Sequence, residues 1–173
     1  DTDLPGRLSI AAEMLSQDNP ERPDIPTSLD DPIYCIFTSG STGRPKGAVN
    51  SHRGVANYIL SKSAFFGPAA DDAVLATAQG TADTHVWQFF WPLICGGRVV
   101  VATRPEMVTP SAVARLIKRH AVSVADFVPS LLADVLAEMA AQVAQDFATL
   151  RLLIVGGEAM RATDTYRFKS LLP

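Results

Sequence analysis

Ile36-Phe37-Thr38-Ser39-Gly40-Ser41-Thr42-Gly43-Arg44-Pro45-Lys46-Gly47 is the stretch on which the reading of this chain turns. The apolar run leading into it, Ile33 to Phe37, predicts a buried strand, and the amphipathic segment from Ser51 predicts a helix. The local frame is therefore strand, loop, helix. Within the loop, Gly40, Gly43 and Gly47 let the backbone approach a ligand with no Cβ in the way. The hydroxyls of Thr38, Ser39, Ser41 and Thr42, the loop N–H groups and the cations Arg44 and Lys46 supply donors and no fixed negative charge. Such a surface suits an anion, above all a polyphosphate. It is not a Walker loop, because Lys46 is preceded by Pro45 and followed by Gly47, so the Mg²⁺-binding hydroxyl after the lysine is missing. A merely flexible Ser/Gly segment is the competing reading. The strand ahead, the ordered glycine spacing and the Pro-Lys-Gly end speak against it.

Working outward, apolar runs and helical periodicities alternate. His52 to Phe66 predicts a helix with Val55, Tyr58, Ile59 and Phe65 on one face; His52 at its start is either a ligand contact or a capping or packing residue. Ala73 to Ala76 predicts a short buried strand, Val86 to Ile94 a helix apolar almost all round and so buried, and Arg98 to Ala102 another strand after Gly96-Gly97. Thr109 or Ser111 is placed to cap a helix running to His120. Val122 to Val128 and Leu150 to Val155 predict strands, while Pro129 to Ala141 and Met160 to Leu172 predict helices. Strands alternating with helices of this length predict an α/β layered fold with a mainly parallel sheet flanked by helices. Ligands sit at the carboxyl ends of such strands. That rule gathers the loop after Phe37, the Thr77 to Asp83 turn and Gly156-Gly157-Glu158. Residues 1–32, punctuated by five prolines around a helical patch at Leu8 to Leu15, read as a connecting arm, and residues 33–173 as one globular unit.

Composition narrows the class. A chain of 173 residues, 47% hydrophobic and 19% charged, can bury a core. A net charge of -3 without a dense Lys/Arg run indicates neither nucleic acid nor an anionic membrane surface as a partner. No apolar run reaches the length of about 18 residues needed for a membrane span, and no basic-then-apolar signal opens the chain, so a cytoplasmic setting is expected. Cys35 and Cys95 sit singly in apolar stretches, which predicts core packing rather than a disulfide or zinc site. No metal site is predicted within the chain.

Asp83 introduces chemistry of its own. It stands at the entrance of an otherwise apolar helix, where a carboxylate is either a helix-terminus residue or the partner of a bound cation. Ala82-Asp83-Thr84-His85-Val86-Trp87-Gln88-Phe89-Phe90-Trp91-Pro92-Leu93 resembles the amino-acid-binding motif of nonribosomal peptide synthetase adenylation domains, Phe-Asp-x-Ser-Val-Trp-Glu followed by Phe-Phe-Trp-Pro-Leu. Ile36 to Gly47 resembles the phosphate loop of the wider adenylate-forming superfamily, which also holds acyl-CoA synthetases and luciferases. Phe127-Val128-Pro129-Ser130-Leu131-Leu132 and Gly156-Gly157-Glu158-Ala159-Met160 are similar to two further motifs of the family, Phe-Val-Pro-Ser-Met-Leu and Ser-Gly-Glu-Ala-Leu.

The resemblance implies part of the large N-terminal domain of such an enzyme, and a site to go with it. ATP phosphates would meet Thr38, Ser39, Gly40, Ser41, Thr42, Gly43 and Lys46, and the adenine side would be formed by Gly156, Gly157 and Glu158. An amino acid would be walled by Asp83, Thr84, Trp87, Leu131, Ile154 and Gly156, with Asp83 gripping the α-ammonium. With mostly apolar walls and no second charge opposite Asp83, a neutral, apolar amino acid is expected. The implied reaction joins amino acid and ATP into aminoacyl-AMP and pyrophosphate. The acyl group then passes to the phosphopantetheine thiol of a peptidyl carrier protein, with condensation domains and a small activating protein as further partners.

Ala82, His85, Gln88 and Gly156 depart from the motifs, leaving the Asp83 and Trp87 anchors but loosening side-chain choice. The family's Asn-x-Tyr-Gly-Pro-Thr-Glu segment, whose glutamate holds Mg²⁺, its ribose-binding aspartate and its C-terminal lysine do not occur here. The chain is therefore expected to be a fragment, inactive alone and contributing no catalytic residue. The alternatives are an acyl- or aryl-CoA ligase, for which a carboxylate at position 83 is poorly placed, and an inactive scaffold.

Overall fold

The computed structural model describes residues 25–39, 44–67 and 69–171. The helical patch expected at Leu8 to Leu15 and the loop residues Gly40 to Gly43 lie outside them. The chain opens with β1 (Pro32–Thr38) and β2 (Lys46–Ser51), antiparallel partners in register from Thr38↔Lys46 to Tyr34↔Asn50. The strand, loop, helix frame is thereby corrected to strand, loop, strand, helix. Lys46 to Ser51 carries no apolar alternation to announce a strand, and its pairing is decided by β1. A Cβ at Gly47 would stand 2.8 Å from the Cys35 Sγ, so any larger residue there would have to displace that side chain. Cys35 itself is exposed on the hairpin rather than packed in the core.

Then follow α1 (His52–Phe66), β3 (Ala73–Ala76), α2 (Thr84–Ile94), β4 (Arg98–Val101), a 3-10 turn at Glu106–Val108, and α3 (Pro110–Arg119). The chain continues with β5 (Val124–Phe127), α4 (Pro129–Met139), the short α5 (Val143–Asp146), β6 (Leu152–Val155) and α6 (Ala162–Leu171). The 3-10 turn and α5 are too short to leave a periodic signature. Ser51 caps α1, its Oγ accepting from the Gly54 N–H at 3.3 Å. Thr109 holds the N-cap position of α3, but its hydroxyl donates instead to the Pro105 carbonyl at 2.8 Å.

β3 to β6 form a wholly parallel sheet in the order β4-β3-β5-β6, separate from the β1-β2 hairpin. Side chains alternate across it, so each face meets its own layer of helices. Ala73, Leu75, Ala125 and Phe127 face α3 to α6, packing with Val113, Ile117, Leu132 and Phe147. Val74 and Val124 face α1 and α2, packing with Ile59, Trp87 and Trp91. β3, covered on both faces, is buried at every position, which is why its sequence is an unbroken apolar run. α2 is less enclosed than its composition predicts, because Phe90, Leu93 and Ile94 are exposed.

The amino ends of the strands are pinned by one buried carboxylate. Asp72 accepts from the Ser123 hydroxyl at 2.7 Å, the Ala69 N–H at 2.8 Å and, bidentately, from Arg151, whose other nitrogen donates to the Phe66 carbonyl. The openings to β3, β5 and β6 and the end of α1 are thus joined at one point. The Asp72 network thus lies at the end of the sheet opposite the carboxyl ends of the strands.

Candidate functional site

The connection from β3 to β4 runs one way along the sheet and that from β4 to β5 runs back past β3, so the chain reverses direction between β3 and β5. Crevices open at such switch points, at the carboxyl ends of the strands. Here the ladder between β3 and β5 holds the Val74↔Val124 pair, and beyond it a side chain takes over, the Thr77 hydroxyl donating to the Asp126 carbonyl at 3.0 Å. Above this point lies a cavity of about 660 Å³. Its walls come from the ends of β3 (Thr77, Ala78), β5 (Asp126, Val128) and β6 (Ile154, Gly156, Gly157), the loop after β4 (Arg104, Met107), and α1, α2 and α4.

One wall carries charge. Lys62 of α1 holds its ammonium 4.9 Å from the ring centres of Tyr58 and Phe66 and 4.8 Å from that of Trp87, a cation–π cage. Burial lowers the Lys62 pKa, while Asp126 and Asp83 oppose the shift. Burial pushes the Asp126 carboxyl up to about 6, and Lys62 offsets part of that rise. Tyr58 is pushed up to about 12 by burial and by the carboxylates of Asp83 and Asp126, with Tyr34 adding to them. Among the described residues Asp126 takes part in no ion pair, and its carboxylate receives no hydrogen bond.

Of the predicted amino-acid residues, Thr84, Trp87, Leu131, Ile154 and Gly156 line this cavity. Asp83 does not. It is exposed at the N-cap of α2, makes no capping hydrogen bond, and borders an adjoining recess of about 220 Å³ with Tyr34, Asn50 and Tyr58. Tyr58 borders both spaces. The expectation that the walls bear no second charge is corrected: Lys62, Arg104 and Asp126 all stand on them. They escaped notice because they belong to α1, a loop and β5, outside the motif around Asp83.

Of the predicted adenine-side residues, Gly156 and Gly157 line the cavity, and Gly157 has φ +88°, a conformation that favours glycine. Glu158 instead accepts at the start of α4, from the Ser130 N–H at 3.2 Å and the Ser130 hydroxyl at 3.3 Å. Thr38, Ser39 and Lys46 are exposed at the loop end of the hairpin, with the Thr38 hydroxyl donating to the Lys46 carbonyl at 3.4 Å. They sit on the hairpin sheet and not at the end of a parallel strand, so the switch-point rule gathers two of the three expected loops. His52 borders a shallow apolar groove with Ile59 and Phe90.

The profile of the family described as AMP-binding enzyme matches residues 2–173. The chain belongs to the AMP-binding enzyme family. This AMP-binding chain is 33% identical over 154 residues to a dimodular nonribosomal peptide synthase of Bacillus subtilis, covering 88% of its own length and 6% of that protein. It is 36% identical over 141 residues to enterobactin synthase component F of Escherichia coli, covering 79% of itself and 11% of that protein. Among solved structures, the nonribosomal peptide synthetase FmoA3 superposes with a TM-score of 0.76 at 34% identity, over 84% of this chain and 15% of that one. The chain thus spans a small part of the relatives it matches. Among the described residues no helix is long and apolar enough to cross a membrane.

Gln88 is a site residue whose role the sequence obscured. Its side chain is 1% exposed, and its Oε1 accepts from the N–H groups of Thr77 and Ala78 at 3.1 and 3.0 Å. Only an acceptor fits between two backbone donors, a condition met by glutamine or glutamate. The polar residue within an apolar helix was the available signal.

Proposed function

We propose that this AMP-binding chain is part of the amino-acid adenylation domain of a nonribosomal peptide synthetase. Residues 33–173 then belong to its large N-terminal domain and residues 1–32 to a connecting arm. One observation carries the reading: five of the six residues expected around the amino acid, from α2, α4 and the end of β6, converge on a single cavity at the switch point of a parallel sheet.

In the proposed reaction an oxygen of the amino-acid carboxylate attacks the α-phosphorus of ATP. A new P–O bond forms, the bond to the β-phosphate oxygen breaks, and pyrophosphate leaves. The nucleophile is already an anion, so no proton has to move, and the protein's task is positioning and charge neutralisation. Thr38, Ser39, Gly40, Ser41, Thr42, Gly43 and Lys46 are assigned to the leaving phosphates, where negative charge accumulates. Gly156 and Gly157 let the nucleotide approach the backbone at the adenine side, with Glu158 bracing that turn against α4. Asp83 is assigned to the α-ammonium, in the recess it shares with Tyr58. Among the described residues no cluster of three or more His, Cys, Asp or Glu is placed to hold a metal. The acyl group then passes to the phosphopantetheine thiol of a carrier domain. Condensation domains and a small activating protein are the further partners of this reading.

The test is amino-acid-dependent exchange of labelled pyrophosphate into ATP by the full-length protein. Exchange with an amino acid, crippled by Asp83→Ala, is expected. Exchange confined to fatty or aryl acids would move the protein to the CoA ligases and remove the role of Asp83.

A further inference from the structure

The substrate class follows from the charged wall of the cavity, given the adenylation reading above. Asp126 points from β5 toward α1 and α2, as the strand's alternation requires, into a space where burial disfavours its charge. Lys62, on the same wall, is held over three aromatic rings and is in no ion pair among the described residues. Among the described residues Asp126 is therefore a partly desolvated acceptor without a donor, and Lys62 a partly desolvated donor that meets ring faces but no hydrogen-bond acceptor, both on one cavity. Unmatched polar groups disfavour any occupant that cannot bond to them.

Each class of side chain meets this wall differently. An aliphatic or plain aromatic one would strip water from both groups and return no hydrogen bond. A cationic one would gain attraction from Asp126 but meet repulsion from Lys62 and Arg104, and an anionic one would gain attraction from Lys62 and Arg104 but meet repulsion from Asp126, so neither suits both groups at once. A neutral group able both to donate and to accept satisfies the carboxylate and the ammonium together. We propose that the amino acid activated here carries an uncharged hydrogen-bonding side chain, a hydroxyl or a carboxamide, which donates to Asp126 and accepts from Lys62.

Pyrophosphate exchange by the full-length protein tests this with near-isosteric pairs: threonine against valine, asparagine against leucine, tyrosine against phenylalanine, together with lysine, ornithine and glutamate. One polar neutral amino acid is expected to exceed its apolar partner in kcat/KM by about 100-fold or more, the discrimination that unpaired buried groups impose. Asp126→Asn and Lys62→Met are each expected to shrink that ratio by about tenfold or more while changing the apolar partner far less. Preference for an apolar or charged amino acid in the unaltered protein overturns the inference and leaves the adenylation reading standing. So does an Asp126→Asn variant that loses exchange equally with every amino acid, since Asp126 would then hold the α-ammonium. Exchange with acids lacking an amine, or silence across both panels, overturns both. The isosteric comparison in the unaltered protein needs no variant, so a substitution that fails to fold does not shield the inference.

Discussion

Replacing Gln88 by leucine should open the cavity floor without touching any residue assigned to a ligand. Leucine keeps nearly the same volume in a position that is 1% exposed, so no large void is made. What disappears is the single oxygen that accepts from Thr77 N at 3.1 Å and Ala78 N at 3.0 Å. Both donors lie where β3 runs into the cavity wall, and neither can turn to another partner without moving the strand end. Leaving a buried donor unpaired costs about 1–3 kcal/mol, so two of them cost about 2–6 kcal/mol. A loss of that size is read by urea unfolding of the wild-type and variant proteins. Since Thr77 also donates to the Asp126 carbonyl across the switch point, the displaced turn should raise KM for the amino acid more than it lowers kcat. Gln88→Glu keeps the acceptor and should lose far less. A leucine variant within about 0.5 kcal/mol of wild type, with KM unchanged, would refute the idea that this acceptor holds the turn.

Three further outcomes follow from the structure. Asp126, raised to about 6 in the folded protein, binds its proton more tightly there than in the unfolded chain, so its contribution to stability is greatest below about pH 4 and is lost as the pH rises through 6. After allowance for its partial exposure the loss is about 1–2 kcal/mol, and Asp126→Asn should flatten that part of a stability-versus-pH curve. Asp72 runs the other way: burial would raise its carboxyl, but the bonds from Arg151, Ala69 and Ser123 outweigh burial and hold it at about 2. Its stabilisation is present above about pH 4 and is lost as the pH falls toward 2, and Asp72→Ala should cost about 3–5 kcal/mol near neutrality by urea unfolding. Gly97→Ala places a Cβ against the Asp72 carbonyl and 3.3 Å from that of Pro92, where backbone cannot yield, so a loss of about 1–3 kcal/mol is expected in the same assay.

The order of elements was legible because burial writes itself locally. Ala73 to Ala76 is apolar throughout since helices cover both faces, and α1 spans the His52 to Phe66 stretch that its periodicity marks. The expected pocket residues Thr84, Trp87, Leu131, Ile154 and Gly156 were likewise readable as one set, and folding brings them to one cavity. β2 was not legible, because a polar hairpin strand is specified by its partner's edge rather than by its own pattern. Nor were Lys62 and Asp126, whose shared wall exists only once α1 lies across the face of the sheet that Val124 and Asp126 share. Asp83 shows the same limit from the other side: the sequence places it beside Thr84, but the helix start turns it into the recess next to Tyr58. Sequence alone thus determined the layered α/β order and the set of residues to watch, since both depend on neighbours along the chain. Which charges face the cavity was decided by tertiary packing, since electrostatic partners are chosen by distance in space.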